Sequence, residues 1–303
     1  MPFVLPAISL VAVPGRRQAT IEIAREVERR GFAGIYAPSI FSNLALCHAL
    51  AWTTRTIPFG TAITPIYAST TGEFAQTASF LHEVSGGRFR FGIGVSHAPA
   101  HVRMGVTPGK PLADTRGFVE RLRQQEGAGP MPPLLIAALR QKMVALAGEL
   151  GDGVLFANAC LSHVPASLAA LPEAKRIDVA YLVGNMIPTC ISDDIEAAKA
   201  VNRRTLASYC FLPNYRNYWK EAGYIEEMSA IERAVAQGRH EDVPGLMSDR
   251  WLDDATLFGP AGRVRDRIDA WRDAGVRTPI VVPSSAAGNQ LAAITEVFAA
   301  FAP

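Results

Sequence analysis

The feature that most restricts what this chain can fold into is an alternation, run eight times, of a short β-type stretch and a longer helical one. The β-type runs are "FVLPAISLVAV", "FAGIYAP", "PFGTAITPIY", "RFRFGIGV", "PPLLIAAL", "DGVLFANA", "IDVAYLVGNMIP" and "TPIVVPSS". Between them lie amphipathic or apolar helical stretches such as "RRQATIEIAREVERRG", closed by Gly31, and "STTGEFAQTASFLHEVSGG", for which Ser69, Thr70 or Thr71 can serve as cap. Strand–helix alternation implies parallel pairing through right-handed crossovers. Eight units in 303 residues, against roughly 250 for the typical fold, favour an α/β (β/α)8 TIM barrel over an open doubly wound sheet. No Pro/Gly/Ser linker divides the chain, so a single domain over 1–303 is expected. The least barrel-like stretch, about 211–257, carries aromatics in "FLPNYRNYWKEAGY" and is expected to be a helical segment inserted before the last strand.

Charge narrows the partners. Thirty basic and 28 acidic residues leave a net charge of +2, with no basic run, so an extended nucleic-acid surface is not expected. The N-terminus is apolar but has no positive leading region, carries prolines at 2, 6 and 14, and places its arginines after the apolar run; a secretory leader is not expected. No stretch approaches the roughly 20 apolar residues of a membrane span. Cys47, Cys160, Cys190 and Cys210 lie far apart without a CxxC pair. Reduced thiols, a cytoplasmic location and no structural zinc follow as expectations.

In a barrel the chemistry belongs at the C-terminal strand ends. Here these are Ser39, Ala62 to Thr64, Gly94 to His97, Ala137 and Ala138, Ala157 and Asn158, Pro188 and Thr189, and Pro283 to Ser285. They are mostly small, neutral and hydroxylic, which suits a flat, largely apolar ligand better than a metal cage. "RFRFGIGVSHAPAH" begins like a dinucleotide fingerprint, but the third glycine of GxGxxG is His97, and no acidic residue follows at a second strand end. His97 and His101 are spaced i, i+4. Pro99 lies between them, however, and no HExxH glutamate or third ligand is evident, so ordinary polar surface is the plainer reading and no metal is expected. Ser96 lacks a G-x-S-x-G elbow, which argues against a serine nucleophile. Three strand-to-helix turns, "GVSH", "AALRQKM" and "LFGPAGRVRDR", are each ordinary connections taken alone; on one barrel face they favour a phosphate-bearing ligand.

These residues carry a family resemblance. "GTAITPIYASTTGEFAQTASFLHEVSGGRFRFGIGVSHAPAH" resembles the third and fourth units of the bacterial luciferase-like monooxygenases, and most of all their coenzyme F420-dependent oxidoreductases. "PLADTRGFVERLR", "PPLLIAALRQKMVALAGELGDGVLFANA" and "GPAGRVRDRIDAWRDAGVRTPIVVP" extend the likeness over most of residues 30–285. The resemblance implies a cofactor at the strand ends, F420 or alternatively FMN. It implies a bulge with a non-proline cis peptide at Ala62, Ile63 and Thr64 behind the ring, and Gly94, Val95, Ser96 and His97 along it. His97 stands where sugar-phosphate-oxidising relatives carry a glutamate acid, which makes it the catalytic candidate, or else a cofactor contact. Ser39 replaces the acidic residue or histidine many relatives place after strand two. Arg140 and Gln141 replace the usual Gly-Pro after strand five, with Arg140 available to an anionic tail, and no lysine lies near Cys160. Ala138, Ala157 and Asn158 complete the expected cofactor set. Relatives also imply a homodimer.

The expected function is hydride transfer between F420 and a small organic substrate, with FMN-dependent monooxygenation as the alternative. From another class, a cofactor-binding barrel without catalysis remains open, as does a phosphate-ligand isomerase or hydrolase. The latter two need paired carboxylates or a lysine at strand ends, and neither is present.

Overall fold

The computed structural model describes residues 4–39 and 42–302. The order of elements begins β1 (Ala7–Ser9), α1 (Arg17–Arg29), β2 (Ile35–Ala37), α2 (Asn43–Thr53), β3 (Phe59–Pro65), α3 (Thr71–Val84), β4 (Phe89–Gly94), α4 (Ala98–Met104) and α5 (Pro111–Arg123). It continues with β5 (Leu134–Ala137), α6 (Gln141–Leu150), β6 (Gly153–Ala157), α7 (Val164–Leu168), α8 (Glu173–Ile177), β7 (Leu182–Ile191) and α9 (Ile195–Cys210). Last come α10 (Pro213–Glu221), α11 (Ile225–Ala236), α12 (Asp249–Ala255), β8 (Leu257–Gly259), α13 (Ala261–Asp273), β9 (Thr278–Ser284) and α14 (Gln290–Ala300). The strands form one sheet in the order β6-β5-β4-β3-β2-β1-β9-β7-β8, with a further pairing of β6 to β7. Eight strands therefore close on themselves, and the fold is a (β/α)8 TIM barrel.

Two details depart from the sequence reading. The ninth strand, β8, pairs in parallel with β7 through Thr189↔Leu257 to Ile191↔Gly259. Three buried residues are too few to show a period-2 pattern, so "LFG" was legible only as a turn. The stretch "VPASLAALPEA" after β6, helical by its sequence, is broken in two: α7 stops at Leu168, and Pro172 becomes the residue before α8, since its ring cannot continue a helix.

The chain divides into two compact units, Met1–Phe156 with Ala169–Gly184, and Ala157–Leu168 with Asn185–Pro303. In the first unit, β3 and β4 are buried on both faces, as strands covered by helices require. Phe59 lies across the β3–β4 ladder from Phe89 with ring centroids 5.8 Å apart, and Phe91 packs on Phe74 of α3 at 5.8 Å. Each such ring removed from water stabilises the fold by about 1.5–3 kcal/mol. Below them Arg88 donates to the carbonyls of Ala51, Thr54, Ile57 and Ser85 and to the Thr54 hydroxyl, closing the C-terminal end of α2. α3 is capped as expected, by Thr70 Oγ1 accepting from Glu73 N at 3.2 Å.

In the second unit, the segment expected to be a helical insertion forms α10, α11 and α12. Its apolar faces meet in an aromatic cluster in which Trp219 and Trp251 lie 4.7 Å apart edge-on and Tyr215 tilts against Trp219 at 5.4 Å. Asp254 of α12 accepts from Ser162 N, Ser162 Oγ and Tyr224 Oη at 2.6–2.8 Å, which ties the segment after β6 to the insertion. Among the described residues no helix is long and apolar enough to cross a membrane.

Candidate active site

The site grows out of a defect in the β3–β4 ladder. Pairing runs in register up to Thr61↔Phe91 and resumes at Thr64↔Ile93, so Ala62 and Ile63 together face Gly92. This is a β-bulge, which bends a strand and re-aims its side chains. Gly92 is required here, because a Cβ would run into the carbonyl oxygens of Thr61 and Ala62. The main-chain partners that Gly92 loses are replaced by one hydroxyl. Thr61 Oγ1 donates to Gly92 O at 2.8 Å and accepts from Gly92 N at 2.9 Å. Asn43, at the start of α2, holds the other side of the bulge by donating to Ile63 O at 3.0 Å.

The bulge expected from Ala62, Ile63 and Thr64 is thus present, but its peptide bonds are trans: among the described residues no cis peptide bond occurs. The extra residue and the Thr61 and Asn43 hydrogen bonds supply the bend by themselves. Ala62 and Thr64 are buried, whereas Ile63 is half-exposed. A Cβ placed on Gly94 would lie 3.0 Å from both Ile63 Cγ2 and Ala137 Cβ, so these three positions of β3, β4 and β5 share one face. With hydrogen at the middle position, Ile63, Gly94 and Ala137 make a contiguous apolar floor.

The rim is set by the segment after β4. Val95 and Ser96 leave the strand, and Ser96 takes the left-handed conformation with φ 62°. A non-glycine residue there is uncommon and concentrates at functional sites. His97, expected to lie in a loop with His101, is instead the residue that opens a helix, α4. Pro99 does not prevent it, because a proline in the first turn gives up an N–H that has no intrahelical partner anyway. His97 is half-buried, and its imidazole is held below the usual histidine range. Burial is the main cause, with the nearby His101 and Arg103 acting in the same direction, against a hydrogen bond that the imidazole donates to the Ser96 backbone carbonyl. At neutral pH the ring is uncharged.

The remaining expected residues come from the ends of β2, β5 and β6. Ser39 follows β2 by two positions and is half-buried. Ala138 is buried, with its N–H on Leu155 O at 2.9 Å. Arg140 is exposed and opens α6 as an N-cap whose side chain makes no capping bond, so the first N–H groups of α6 stay available to an anion. Ala157 and Asn158 belong to the second unit. Asn158 also has positive φ, 58°, and its carbonyl accepts from Trp219 Nε1 at 3.1 Å. Of the three turns considered as anion sites, "LFGPAGRVRDR" has its Arg263 engaged with Asp253. Among the described residues no group of three or more His, Cys, Asp or Glu side chains converges as metal ligands would.

Four contributors went unread in the sequence. Thr61 looked like any buried strand residue, and Asn43 like a helix cap. Tyr67 and Asp114 come from two different units of the repeat, so no spacing announces them, yet Tyr67 Oη donates to Asp114 Oδ2 at 2.6 Å.

The parallel (β/α)8 barrel thus carries a bulged third strand, an apolar surface of Ile63, Gly94 and Ala137, and an uncharged histidine in the segment after β4. Residues 4–278 match the luciferase-like monooxygenase family, and the chain belongs to that family. It is 26% identical to a putative coenzyme F420-dependent oxidoreductase of Mycobacterium tuberculosis, over 88% of this chain and 90% of that one. In fold it is similar to the coenzyme F420-dependent tetrahydromethanopterin reductase of Methanopyrus kandleri, with a TM-score of 0.77 at 20% identity over 97% of both chains. The oxygenating constituent of 3,6-diketocamphane monooxygenase from Pseudomonas putida, solved with FMN, superposes with a TM-score of 0.62 at 15% identity, over 97% of this chain and 96% of that one.

Proposed function

We propose that this protein is an F420-dependent oxidoreductase that transfers a hydride between the deazaflavin and a small organic substrate. The observation that carries this reading is the floor of Ile63, Gly94 and Ala137 with the uncharged His97 at its rim: a surface for a flat ring with one group able to move a proton beside it. The residues fit the cofactor, since Gly94 places no side chain between Ile63 and Ala137. F420, when bound, supplies two-electron hydride chemistry. The chain supplies the rest. Ile63, Gly94 and Ala137 brace the ring, Val95 and Ser96 lie along it, and the start of α6 with Arg140 takes an anionic tail. Ser39 and Ala138 complete the part of the cofactor surround that this unit supplies. His97 Nδ1 or Nε2, neutral at pH 7, accepts the proton that a donor substrate such as an alcohol releases as its hydride leaves, and returns it in the reverse direction.

The FMN-bound relative in fold supports a second reading, monooxygenation with reduced FMN. Titration with F420 and with FMN, followed by quenching of cofactor fluorescence, separates the two. F420 is expected to bind at micromolar concentration or below, and FMN more weakly. The reverse order overturns the first reading in favour of the second, and failure of both cofactors at about 100 μM overturns both. His97→Ala is expected to lower turnover by about 100-fold or more with F420 affinity changed less than about threefold. Equal losses assign His97 to binding alone.

The protein is further read as a cytoplasmic homodimer. Its four cysteines are buried and unpaired. α2 is apolar on every side, and a helix of that kind requires cover on its outer face as well. Trp52 of α2 is 70% exposed and Phe80 of α3 is 48% exposed, with His48 stacked on Phe80 at 6.0 Å. A second copy of the chain, meeting this face with its own α2 and α3, provides the cover.

A further inference from the structure

The second histidine of "VSHAPAH" is not explained by the reading above. His101 lies one turn into α4, and its Nε2 is 2.6 Å from Val95 O, the carbonyl that ends the strand segment. A carbonyl only accepts, so this nitrogen carries a hydrogen. The bond closes the loop Val95–His101 on itself. The same loop contains Ser96, in the left-handed region, and His97, whose carbonyl accepts the first helical bonds from Ala100 N at 2.9 Å and His101 N at 3.0 Å. In a trans peptide the N–H points opposite to the C=O. Turning Val95 O toward His101 therefore presents the Ser96 N–H on the opposite side.

His101 is itself wedged. The ring of Tyr67, after β3, meets it edge-on at 5.4 Å and 87°. Tyr67 Oη donates to Asp114 Oδ2 of α5 at 2.6 Å, and the same oxygen accepts from Gly109 N at 2.7 Å. The chain from Asp114 through Tyr67 and His101 to Val95 thus joins the ends of β3 and β4 to α4 and α5. Burial and Asp114 push the Tyr67 hydroxyl well up, so it remains a donor throughout the ordinary pH range.

We propose that His101 is a positioning residue: through its bond to Val95 O, braced by Tyr67 and Asp114, it holds the Ser96–His97 segment in the conformation that receives the cofactor. This rests on the F420 reading for its binding consequence but not for its structural one. A glutamine at position 101 keeps an N–H donor of similar reach, whereas leucine fills the space without one.

The test pairs two measurements on the full-length chain. Hydrogen exchange of the amides at residues 96 and 97 is followed without cofactor, and F420 affinity by fluorescence quenching, with the thermal midpoint recorded throughout. His101→Leu is expected to speed exchange at these amides at least tenfold and to weaken F420 binding at least tenfold, with His101→Gln restoring both to within about threefold of the parent chain. His101→Met substitutes if the leucine variant does not fold. Unchanged exchange in the leucine or methionine variant overturns the proposal, and so does a glutamine variant as impaired as the leucine one. If the parent chain binds no F420, the F420 reading falls, and the exchange arm still decides the role of His101.

Discussion

The bulge makes a sharp prediction at Thr61. The side chain is fully buried, and its hydroxyl stands in for two ladder partners of Gly92, as donor to the carbonyl at 2.8 Å and as acceptor from the N–H at 2.9 Å. Thr61→Val keeps the shape and opens no cavity, but leaves one N–H and one C=O buried without partners. Each such group costs about 1–3 kcal/mol. The N–H lies toward the upper end and the carbonyl, with a second lone pair, toward the lower. The sum is about 4 kcal/mol. At about 2 °C per kcal/mol for a chain of this size, the thermal midpoint falls by about 8 °C. Thr61→Ser keeps the hydroxyl and loses a methyl, which costs about 1 kcal/mol. Urea titration read by far-UV circular dichroism, with thermal melts alongside, gives the order wild type, serine, valine. Because the bulge aims Ile63 at the floor, the valine variant is also expected to lose F420 affinity by about tenfold while the serine variant does not. A valine variant within about 0.5 kcal/mol of wild type, or no less stable than serine, refutes the account of the hydroxyl as the ladder's substitute.

Other predictions follow from separate parts of the molecule. Arg88→Met removes charged donors from four carbonyls at the N-terminal end of the strands and is expected to destabilise by about 3–5 kcal/mol, measured by urea unfolding, with F420 affinity of the folded fraction unchanged. For the pH profile, burial depresses the imidazole of His97 below 6.5. The ring is therefore in its proton-accepting form above that value, and substrate oxidation is expected to be flat near pH 7 and to fall on acidification through a midpoint below 6.5. A midpoint above 7 in the parent chain, or an unchanged profile in His97→Gln, excludes His97 as the base. Trp52→Glu is expected to convert a particle of twice the chain mass to one of the single mass in light scattering, and an unchanged mass removes α2 from the interface.

The sequence determined the fold class, because a strand buried on both faces and an amphipathic helix leave strong local patterns and eight repeats of them admit few arrangements. It also singled out "GIGVSHAPAH", the segment on which the proposed site is built, since glycines and a histidine at a strand end are visible as residue types. What it did not determine is how strand-end residues meet. The trans bulge depends on one hydroxyl reaching across 31 positions to Gly92. The α4 helix formed through Pro99 because the first turn forgives the missing N–H, a matter of where the helix begins and not of which residues it contains. The joining of Tyr67, His101 and Asp114 brings together the ends of separate units, and local periodicity carries no information about contacts between them. Periodicity reports which face of an element is apolar; only the closed sheet, through its register and the bulge in β3, decided which side chains share a floor and which carbonyl a histidine holds.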